Sequence, residues 1–262
     1  MFETLDYAVH EGVAVLRLNR PLQHNAVNSL MSRELPAAWA HFNNDATAIV
    51  AIVTGTGDKA FCAGADLRDL PSLDGPASAA TLESIRWTSL ANQVWKPVIC
   101  AVNGLTVGGG LHFVADSDLV IAAATATFSD SHVNVGLVAG LEPVSLCRRM
   151  PLQAVLRMAL VGGRERLSAQ RAYELGLVGE VVAAEALLPR AFEIAAMIKL
   201  NSPSAMARTK QAIWEATELG LSAGLQNAWR LVMEQLQHAD AAEGPKAFTE
   251  KRAPRWLPPE GR

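Results

Sequence analysis

Three consecutive glycines, Gly108 to Gly110, stand between a predicted strand and a segment that can begin a helix. The strand is the apolar run Val98 to Val102, and the segment is Leu111 to Ala115. Glycines permit backbone angles closed to other residues and let a ligand approach the main chain without meeting a Cβ. The first N–H groups of a helix are unpaired and lie at its positive end, which suits an oxygen that carries or is gaining negative charge. The triplet lacks the GxGxxG spacing of a dinucleotide site. It predicts either an oxyanion site or a close backbone crossing in the core.

Two histidines and a glutamate follow the glycines at spacings that could serve acid/base chemistry. His112 is three residues after Gly109, so on a regular helix it faces the same side as the glycine site. His132 lies in a polar stretch, and neutral imidazole can act as acid or base near working pH. Each has a structural alternative: a histidine can be a hydrogen-bonded core residue, and Glu142 can be a first-turn helix residue followed by proline. Asp130 could orient a histidine or cap a turn.

The elements around these residues indicate α/β layering, since strands and helices alternate up to Ser129 and the rest is mainly helical. Further strands are expected at Val13 to Leu18, Ile49 to Thr54, Leu119 to Ala122, Thr127 to Ser129 and Glu180 to Val182. Helices are expected at Asn25 to Asn43, Ala79 to Val94, Leu152 to Val161, Ser168 to Leu175, Ala184 to Leu200, Ser204 to Glu218 and Leu221 to Ala239. Pro71 to Ser78 has the composition of a mobile loop, and Phe61 to Leu67 is a second glycine-bearing loop.

Composition limits the possible partners. The chain has 262 residues, a net charge of −3 and 50% hydrophobic residues, so it can bury a sizeable core and shows no basic face for nucleic acid. Its amino end lacks a signal-peptide layout, and no apolar segment is long enough to span a bilayer, so we expect a cytoplasmic protein. Three cysteines, Cys62, Cys100 and Cys147, share no metal spacing and are expected to be buried thiols. No metal site is predicted.

Six motifs in register resemble the crotonase (enoyl-CoA hydratase/isomerase) superfamily over essentially the full chain. They are Asn19-Arg20-Pro21, His24-Asn25-Ala26, the loops Phe61 to Leu67 and Asn103 to Leu111, Ala172 to Val178, and the ending Glu243 to Arg255. The resemblance implies a spiral of strand-strand-helix (ββα) turns over residues 1–200, and a C-terminal helical trimerisation region over 201–262. It also implies a homotrimer or a dimer of trimers. The amphipathic helices near the C-terminus agree with such an interface, although they could instead pack within the chain.

The resemblance also assigns an acyl-CoA site. A thioester carbonyl would lie between the backbone N–H groups of Ala65 and Gly109, which stabilise an enolate. The coenzyme A portion belongs to the substrate, and no separate cofactor is implied. The residues expected to contact coenzyme A are Asn25, Ala26, Ala63, Gly64, Ala65, Asp66, Leu67 and Arg68.

The chain departs from the family at the acid/base positions. The two glutamates of the family's hydratases are replaced by His112 and His132, and the isomerase base eight residues further on is Gly140. The nearest carboxylate is Glu142. Hydration needs a base for water and an acid for the adjacent carbon, so hydration by the usual pair is not expected.

Three hypotheses follow. The first is an enzyme that acts on an acyl-CoA through an enolate, with His132 as the main proton-transfer group, His112 positioning water or substrate and Glu142 as a partner. The second is an acyl-CoA-binding protein without turnover. The third is a carbon–carbon hydrolase of the β-diketone type, for which His132 with Glu142 is an imperfect match because the spacing differs by one residue. The sequence favours them in that order.

Overall fold

Strands and helices alternate through the first half of the chain in the computed structural model, which describes residues 2–69 and 85–259. The strands in these ranges are β1 (Leu5–His10), β2 (Val13–Leu18), β3 (Val50–Gly55), β4 (Ala60–Cys62), β5 (Val98–Val102), β6 (Leu105–Val107), β7 (Leu119–Ala123), β8 (Thr127–Ser129), β9 (Leu167–Ser168) and β10 (Glu180–Val182). The α-helices are α1 (Ser29–Asn44), α2 (Leu111–Asp116), α3 (Leu141–Leu146), α4 (Leu152–Val161), α5 (Ala169–Glu174), α6 (Leu187–Ile198), α7 (Pro203–Ala216), α8 (Leu221–Leu236) and α9 (Ala239–Thr249). Short 3-10 turns include Gly108–Gly110 and His132–Val135.

The larger sheet forms the core, with strand order β1-β2-β3-β5-β7-β10. All its pairings are parallel except β1 with β2. Strands β3 and β5 are buried along their whole length and read as near-continuous apolar runs, as expected of parallel strands covered on both faces. Alternate residues supply the two cores: Val53 packs in the cluster that includes Trp39 of α1, whereas Ile52 packs in the cluster that includes Ala191 of α6.

The smaller sheet positions the functional residues, and its order is β4-β6-β8-β9. Strands β4, β6 and β8 are parallel, so their carboxyl ends meet at one edge. The loop with Ala65 follows β4, the glycine triplet follows β6, and Asp130 follows β8. In open α/β structures this edge is where ligands bind.

A buried lysine connects helix α7 to residues beside the larger sheet. Lys210 of α7 lies 2.9 Å from a carboxylate oxygen of Asp118, and it donates to the carbonyl of Lys96 at 2.9 Å. Trp214 donates its indole N–H to the same aspartate at 2.8 Å. The crotonase-type fold class is confirmed by the structural comparison given below. The division at residue 200 stays a prediction: α7 packs on α8, and it also contacts Lys96 and Asp118 of the preceding region.

The helix expected over Ala79 to Val94 is wrong for its described part, which forms turns. A helix there would need the Trp87 carbonyl to accept from Ala91, but that carbonyl accepts from the indole of Trp39 at 2.7 Å. The Ala91 N–H instead donates to the side chain of Thr88, and Gln93 adopts φ +54°. Residues 79–84, and the loop expected over Pro71 to Ser78, lie outside the described residues.

Other boundaries differ for local reasons. Helix α1 begins at Ser29 rather than Asn25, because Asn28 is its N-cap and accepts from the Met31 N–H at 3.0 Å. The helix expected over Leu221 to Ala239 ends at Leu236, and a further helix, α9, begins at Ala239 with His238 as its N-cap. Cys62 and Cys100 are buried thiols as expected, whereas Cys147 is exposed.

Candidate active site

The two glycine loops pack against each other without intervening side chains. A Cβ placed on Gly64 would lie 2.7 Å from the Val107 carbonyl oxygen and 3.0 Å from the Gly109 nitrogen. A Cβ on Gly110 would lie 2.4 Å from the Cys62 carbonyl oxygen. These approaches are closer than any side chain permits, so glycine is required for the loops to meet.

The amides of Ala65 and Gly109 lie side by side where the loops meet. A Cβ placed on Gly109 would be 3.5 Å from the Ala65 nitrogen. Ala65 forms a bridge with Val27, but the bonds of that bridge use Gly64 and Asp66 and leave the Ala65 N–H outside. Gly109 is in the first turn of a 3-10 helix, whose opening N–H groups have no acceptor within the helix. Two adjacent donors with this geometry can stabilise an oxyanion.

Trp87 packs against Gly109, and no motif in the sequence indicated this role. Its Cζ3 atom would lie 2.7 Å from a Cβ on Gly109, and its indole N–H donates to Ser32 at 2.8 Å. Its ring also meets the His112 ring edge-on, with centroids 5.9 Å apart. Trp87 therefore packs against both an oxyanion donor and a candidate acid/base group.

His132 is held by Asp130. Nδ1 of His132 lies 2.8 Å from Oδ1 of Asp130, and the same oxygen accepts from the backbone N–H of His132 at 3.0 Å. The imidazole lies over the glycine turn, since a Cβ on Gly108 would be 3.3 Å from its Cε1 atom. The hydrogen bond to Asp130 raises the pKa of His132 above its ordinary value, with burial opposing and the charge of Glu142 assisting.

Glu142 connects the two histidines. Its Oε1 atom lies 3.2 Å from Nε2 of His112 and 3.9 Å from Nε2 of His132, and its side chain is 7% exposed. Burial acts to raise the pKa of Glu142, but the hydrogen bond with His112 and the charges of both histidines outweigh it, so its pKa lies below the ordinary value. We call Asp130, His132, Glu142 and His112 the site cluster. It joins β8, α3 and α2 around the glycine turn.

The residues expected to contact coenzyme A occupy varied environments. Asn25 is fully buried, and its side chain donates to the carbonyls of Thr56 and Ala60 and accepts from the N–H of Arg20, so its observed role is structural. Asp66 forms an ion pair with Arg20 at 2.9 Å. Ala26 and Gly64 are buried, Ala63 and Ala65 are half-buried, and Leu67 and Arg68 are exposed. Contact of these residues with coenzyme A stays a prediction.

One group in the described ranges has donor atoms spaced for a metal: Asp130, His132 and Glu142, whose nearest ligand atoms all lie within 4.8 Å of one another. Within this set Nδ1 of His132 lies 2.8 Å from Oδ1 of Asp130, and Glu142 is bonded to His112. The three residues therefore belong to the same network of polar contacts as His112.

A cavity of about 740 Å³ lies away from the site cluster, against α7. It is lined by residues of the C-terminal helices and the sheet edge, among them Asp118, Arg149, Met206, Ile213 and Trp214. It contains none of the candidate acid/base groups, and its Lys210 and Trp214 side chains are both paired with Asp118. We take the site cluster as the candidate site because its histidines and glutamate lie against the glycine turn, where Gly109 is close to the Ala65 nitrogen. No helix in the described part of the chain has the length and apolarity to cross a membrane.

Comparison with known proteins agrees with this architecture. Residues 8–258 match the model of the enoyl-CoA hydratase/isomerase family. The chain is 35% identical to an (E)-benzylidenesuccinyl-CoA hydratase of Thauera aromatica, covering 96% of this chain and 97% of that protein. It is 32% identical to a carnitinyl-CoA dehydratase of Proteus mirabilis, covering 98% and 99%.

Solved structures show the same fold. The crystal structure of an enoyl-CoA hydratase/isomerase from Mycobacterium paratuberculosis superposes with a TM-score of 0.89 at 43% identity, covering 98% of this chain and 99% of that one. That of an enoyl-CoA hydratase from Mycobacterium tuberculosis gives a TM-score of 0.85 at 32% identity, covering 97% and 98%. The family match spans nearly the whole chain, and its relatives share its full length. The chain therefore belongs to the enoyl-CoA hydratase/isomerase family, within the crotonase superfamily.

Proposed function

We propose that this protein is an acyl-CoA hydratase or dehydratase in which His132 and Glu142 replace the usual pair of glutamates. The observation that carries the proposal is the position of one Glu142 oxygen between the two histidines, 3.2 Å from His112 and 3.9 Å from His132. A hydratase needs one group that is ionised as a base and one that holds a proton as an acid. The pKa shifts favour this division, because that of Glu142 is lowered and that of His132 is raised.

The proposed reaction adds water across the double bond of an enoyl thioester. Glu142, aligned by its hydrogen bond with His112, takes a proton from water as the water oxygen bonds to the β-carbon. The π electrons move to the thioester oxygen, and the N–H groups of Ala65 and Gly109 stabilise this enolate. Nε2–H of His132 then donates its proton to the α-carbon. The reverse sequence removes water, and the net change in either direction is one water molecule.

The relatives support the reaction class. One is named a hydratase and another a dehydratase, both of CoA thioesters. Among the alternatives, a binding protein without turnover needs no acid/base groups beside its oxyanion donors, whereas this chain keeps a hydrogen-bonded set of four. The β-diketone hydrolase alternative gains no support from the relatives, and the glycine triplet is intact.

Turnover is tested by following the loss of enoyl absorbance with trans-2-enoyl-CoA thioesters of different substituents. Deuterium at the α-carbon and ¹⁸O at the β-carbon would identify the proton and water additions. Glu142→Gln and His132→Ala should each reduce turnover strongly. The exposed residues Glu185 and His10 provide matched controls, and Glu185→Gln and His10→Ala should leave the rate unchanged. Equal rates in His132→Ala and wild type would overturn the assigned role.

Binding is tested separately by calorimetry. Acyl-CoA thioesters should bind more tightly than free CoA, because only a thioester places a carbonyl between Ala65 and Gly109. Absence of any binding at about 1 mM ligand, which corresponds to about −4 kcal/mol, would contradict an acyl-CoA site.

We further propose that the protein assembles as a trimer or a dimer of trimers through its C-terminal helices. Helix α8 exposes an apolar face that a monomer would leave in water, with Leu221 80%, Leu225 62%, Trp229 64% and Leu236 58% exposed. The cavity against α7 adjoins this face, since Ile213 lines both it and a second cavity between α7 and α8. Light scattering of dilute protein checks this. A stable monomer of 28.0 kDa would contradict it.

A further inference from the structure

Asp130 is the most completely buried member of the site cluster, with 0% of its surface exposed. Its Oδ1 atom accepts from the backbone N–H of His132 at 3.0 Å and lies 2.8 Å from the ring Nδ1. Its Oδ2 atom is buried and has no hydrogen-bond partner among the residues that the structure describes. A buried carboxylate oxygen without a partner is costly unless a positive charge lies nearby. The nearest group that can carry one is the His132 imidazole.

We propose that Asp130 is a positioning residue that fixes the Nδ1–H tautomer of His132 and leaves Nε2 directed toward the substrate. A carboxylate only accepts hydrogen bonds, so Nδ1 must carry the proton in their contact. The backbone bond to the same oxygen holds the carboxylate in place relative to the ring. In neutral His132 the free lone pair is then on Nε2, the atom that faces Glu142 at 3.9 Å.

The charged and titratable groups on each element packed against His132 support this assignment. Asp130 approaches Nδ1 from the end of β8, and Glu142 approaches Nε2 from α3. His112 of α2 contacts the same Oε1 atom of Glu142. The Gly108 turn contributes backbone only, and Asn134 is engaged with the N–H of Gly163 at 2.6 Å. Among the residues that the structure describes, His112 and His132 are the groups able to carry a positive charge that contact these carboxylates.

This inference rests on the proposed function in one respect: the oriented Nε2 matters because it exchanges a proton with the α-carbon. Asp130 transfers no proton and touches no substrate. Its effect is to make His132 return to one tautomer after each turnover and to stabilise the imidazolium form.

The test is nitrogen NMR of the full-length protein labelled with ¹⁵N-histidine, with His132→Ala used to assign its signals. At a pH above the pKa of His132, the wild-type spectrum should show the Nδ1–H tautomer of this residue. A predominantly Nε2–H signal would overturn the proposal without any variant of Asp130. This readout needs no substrate, so a protein that hydrates no enoyl-CoA but shows the Nδ1–H form would contradict the proposed function and leave the positioning role standing.

Two variants separate the hydrogen bond from the charge. Asp130→Asn removes the charge while an amide oxygen can still accept, so the pKa of His132 should fall, with a loss of about tenfold or more in proton affinity. Asp130→Ala removes the acceptor, so the Nδ1–H preference should disappear. With a competent substrate, Asp130→Ala should lower kcat about 10²-fold with little change in KM.

Asp240→Asn is the matched control, because Asp240 is also buried and also two residues from a histidine, at a distant location. It should leave the tautomer and titration of His132 unchanged. If both Asp130 variants show the wild-type tautomer and titration of His132, Asp130 has only a structural role and the proposal is wrong.

Discussion

Two buried clusters in this molecule use the same residue types at the same spacing and do different things. One is the site cluster, in which Asp130 and His132 are two residues apart. The other, which we call the C-terminal cluster, contains His238 and Asp240, also two residues apart, with Ser202 and Ser204. Its serine, histidine and aspartate resemble a hydrolytic triad by composition alone.

The contacts separate them. In the C-terminal cluster Asp240 accepts from Ser202 at 2.5 Å and from the Leu257 N–H at 3.0 Å, so both of its oxygens are occupied. His238 caps α9 by accepting from the Asp240 N–H at 3.2 Å, and its Nδ1 also lies 3.0 Å from the Ser204 hydroxyl. In the site cluster Oδ2 of Asp130 has no hydrogen-bond partner among the described residues. Nε2 of His132 lies 3.9 Å from Oε1 of Glu142. Polar side-chain atoms that lack a hydrogen-bond partner, next to backbone N–H groups that can bind a ligand, are typical of a functional site. Polar side chains whose atoms are all hydrogen-bonded within the protein are typical of a structural cluster.

The largest expected difference between the clusters is in turnover. His132→Ala should reduce the rate of α-carbon deuterium exchange of a bound acyl-CoA by about 10²–10⁴-fold, because it removes a general acid/base group. His238→Ala should leave the rate per folded molecule within about twofold, which is below the range of any acid/base role. Exchange measured by mass spectrometry at matched protein concentration decides the matter. If the two variants exchange equally, the site cluster has been assigned wrongly.

The glycine turn gives the next largest effect. Gly109→Ala would place a Cβ 2.7 Å from the Trp87 ring, so the amide or the ring must move. Misplacing one oxyanion donor should cost about 10²–10³-fold in kcat. Gly220→Ala is the control, since a Cβ there meets nothing within 4 Å and lies far from the chemistry. A Gly109→Ala enzyme with normal kcat would show that this amide is not a donor to the substrate.

The C-terminal cluster should respond in stability instead. Asp240→Ala leaves the hydroxyl of Ser202 and the N–H of Leu257 without their acceptor, so the free energy of unfolding should fall by about 1–3 kcal/mol. Urea denaturation followed by circular dichroism measures this change. Asp240→Asn should lose less, because the amide oxygen can still accept. A loss of kcat in Asp240→Ala that exceeds its loss of folded protein would contradict the structural assignment.

The smallest effect concerns pH. Hydration requires His132 protonated and Glu142 ionised, so the rate should fall as pH rises through the pKa of His132. That pKa is raised by Asp130, so the alkaline fall should begin above the ordinary histidine value. The acid fall should lie below the ordinary glutamate value, because the pKa of Glu142 is lowered. The profile of kcat/KM checks both limbs. A rate that instead increases through the histidine titration would indicate neutral His132 acting as a base.

The glycine turn and the strands of the larger sheet other than β1 could be predicted from the sequence because their signals are local. The apolar runs of β3 and β5 and the triplet Gly108 to Gly110 specify their own conformations. The strands β4 and β6 were not predicted because each lies beside glycines that indicated a loop or turn. The helix boundary near Trp87 was missed because the decisive hydrogen bond comes from Trp39, 48 positions away.

The site residues divide in the same way. His112, His132 and Glu142 could be selected by type and spacing, but their convergence depends on the pairing of β6 with β8 and on the packing of α2 against α3. The resemblance suggested that Asn25 contacts coenzyme A, but the sequence does not show that its side chain points inward. Its amide donates to the carbonyls of Thr56 and Ala60. The two Asp/His pairs were indistinguishable until their surroundings were known.

The interlocked glycine loops also bear on how such a protein can diverge. Positions 64, 109 and 110 have no room for a Cβ, so the proposed oxyanion site tolerates almost no variation. The proposed proton-transfer groups stand on separate elements and touch that site only at its margin. Mutation can therefore exchange them without disrupting the glycine loops, and a protein built on this plan can acquire new chemistry by replacing a few side chains. Under the proposed function, the histidines at positions 112 and 132 are one such replacement.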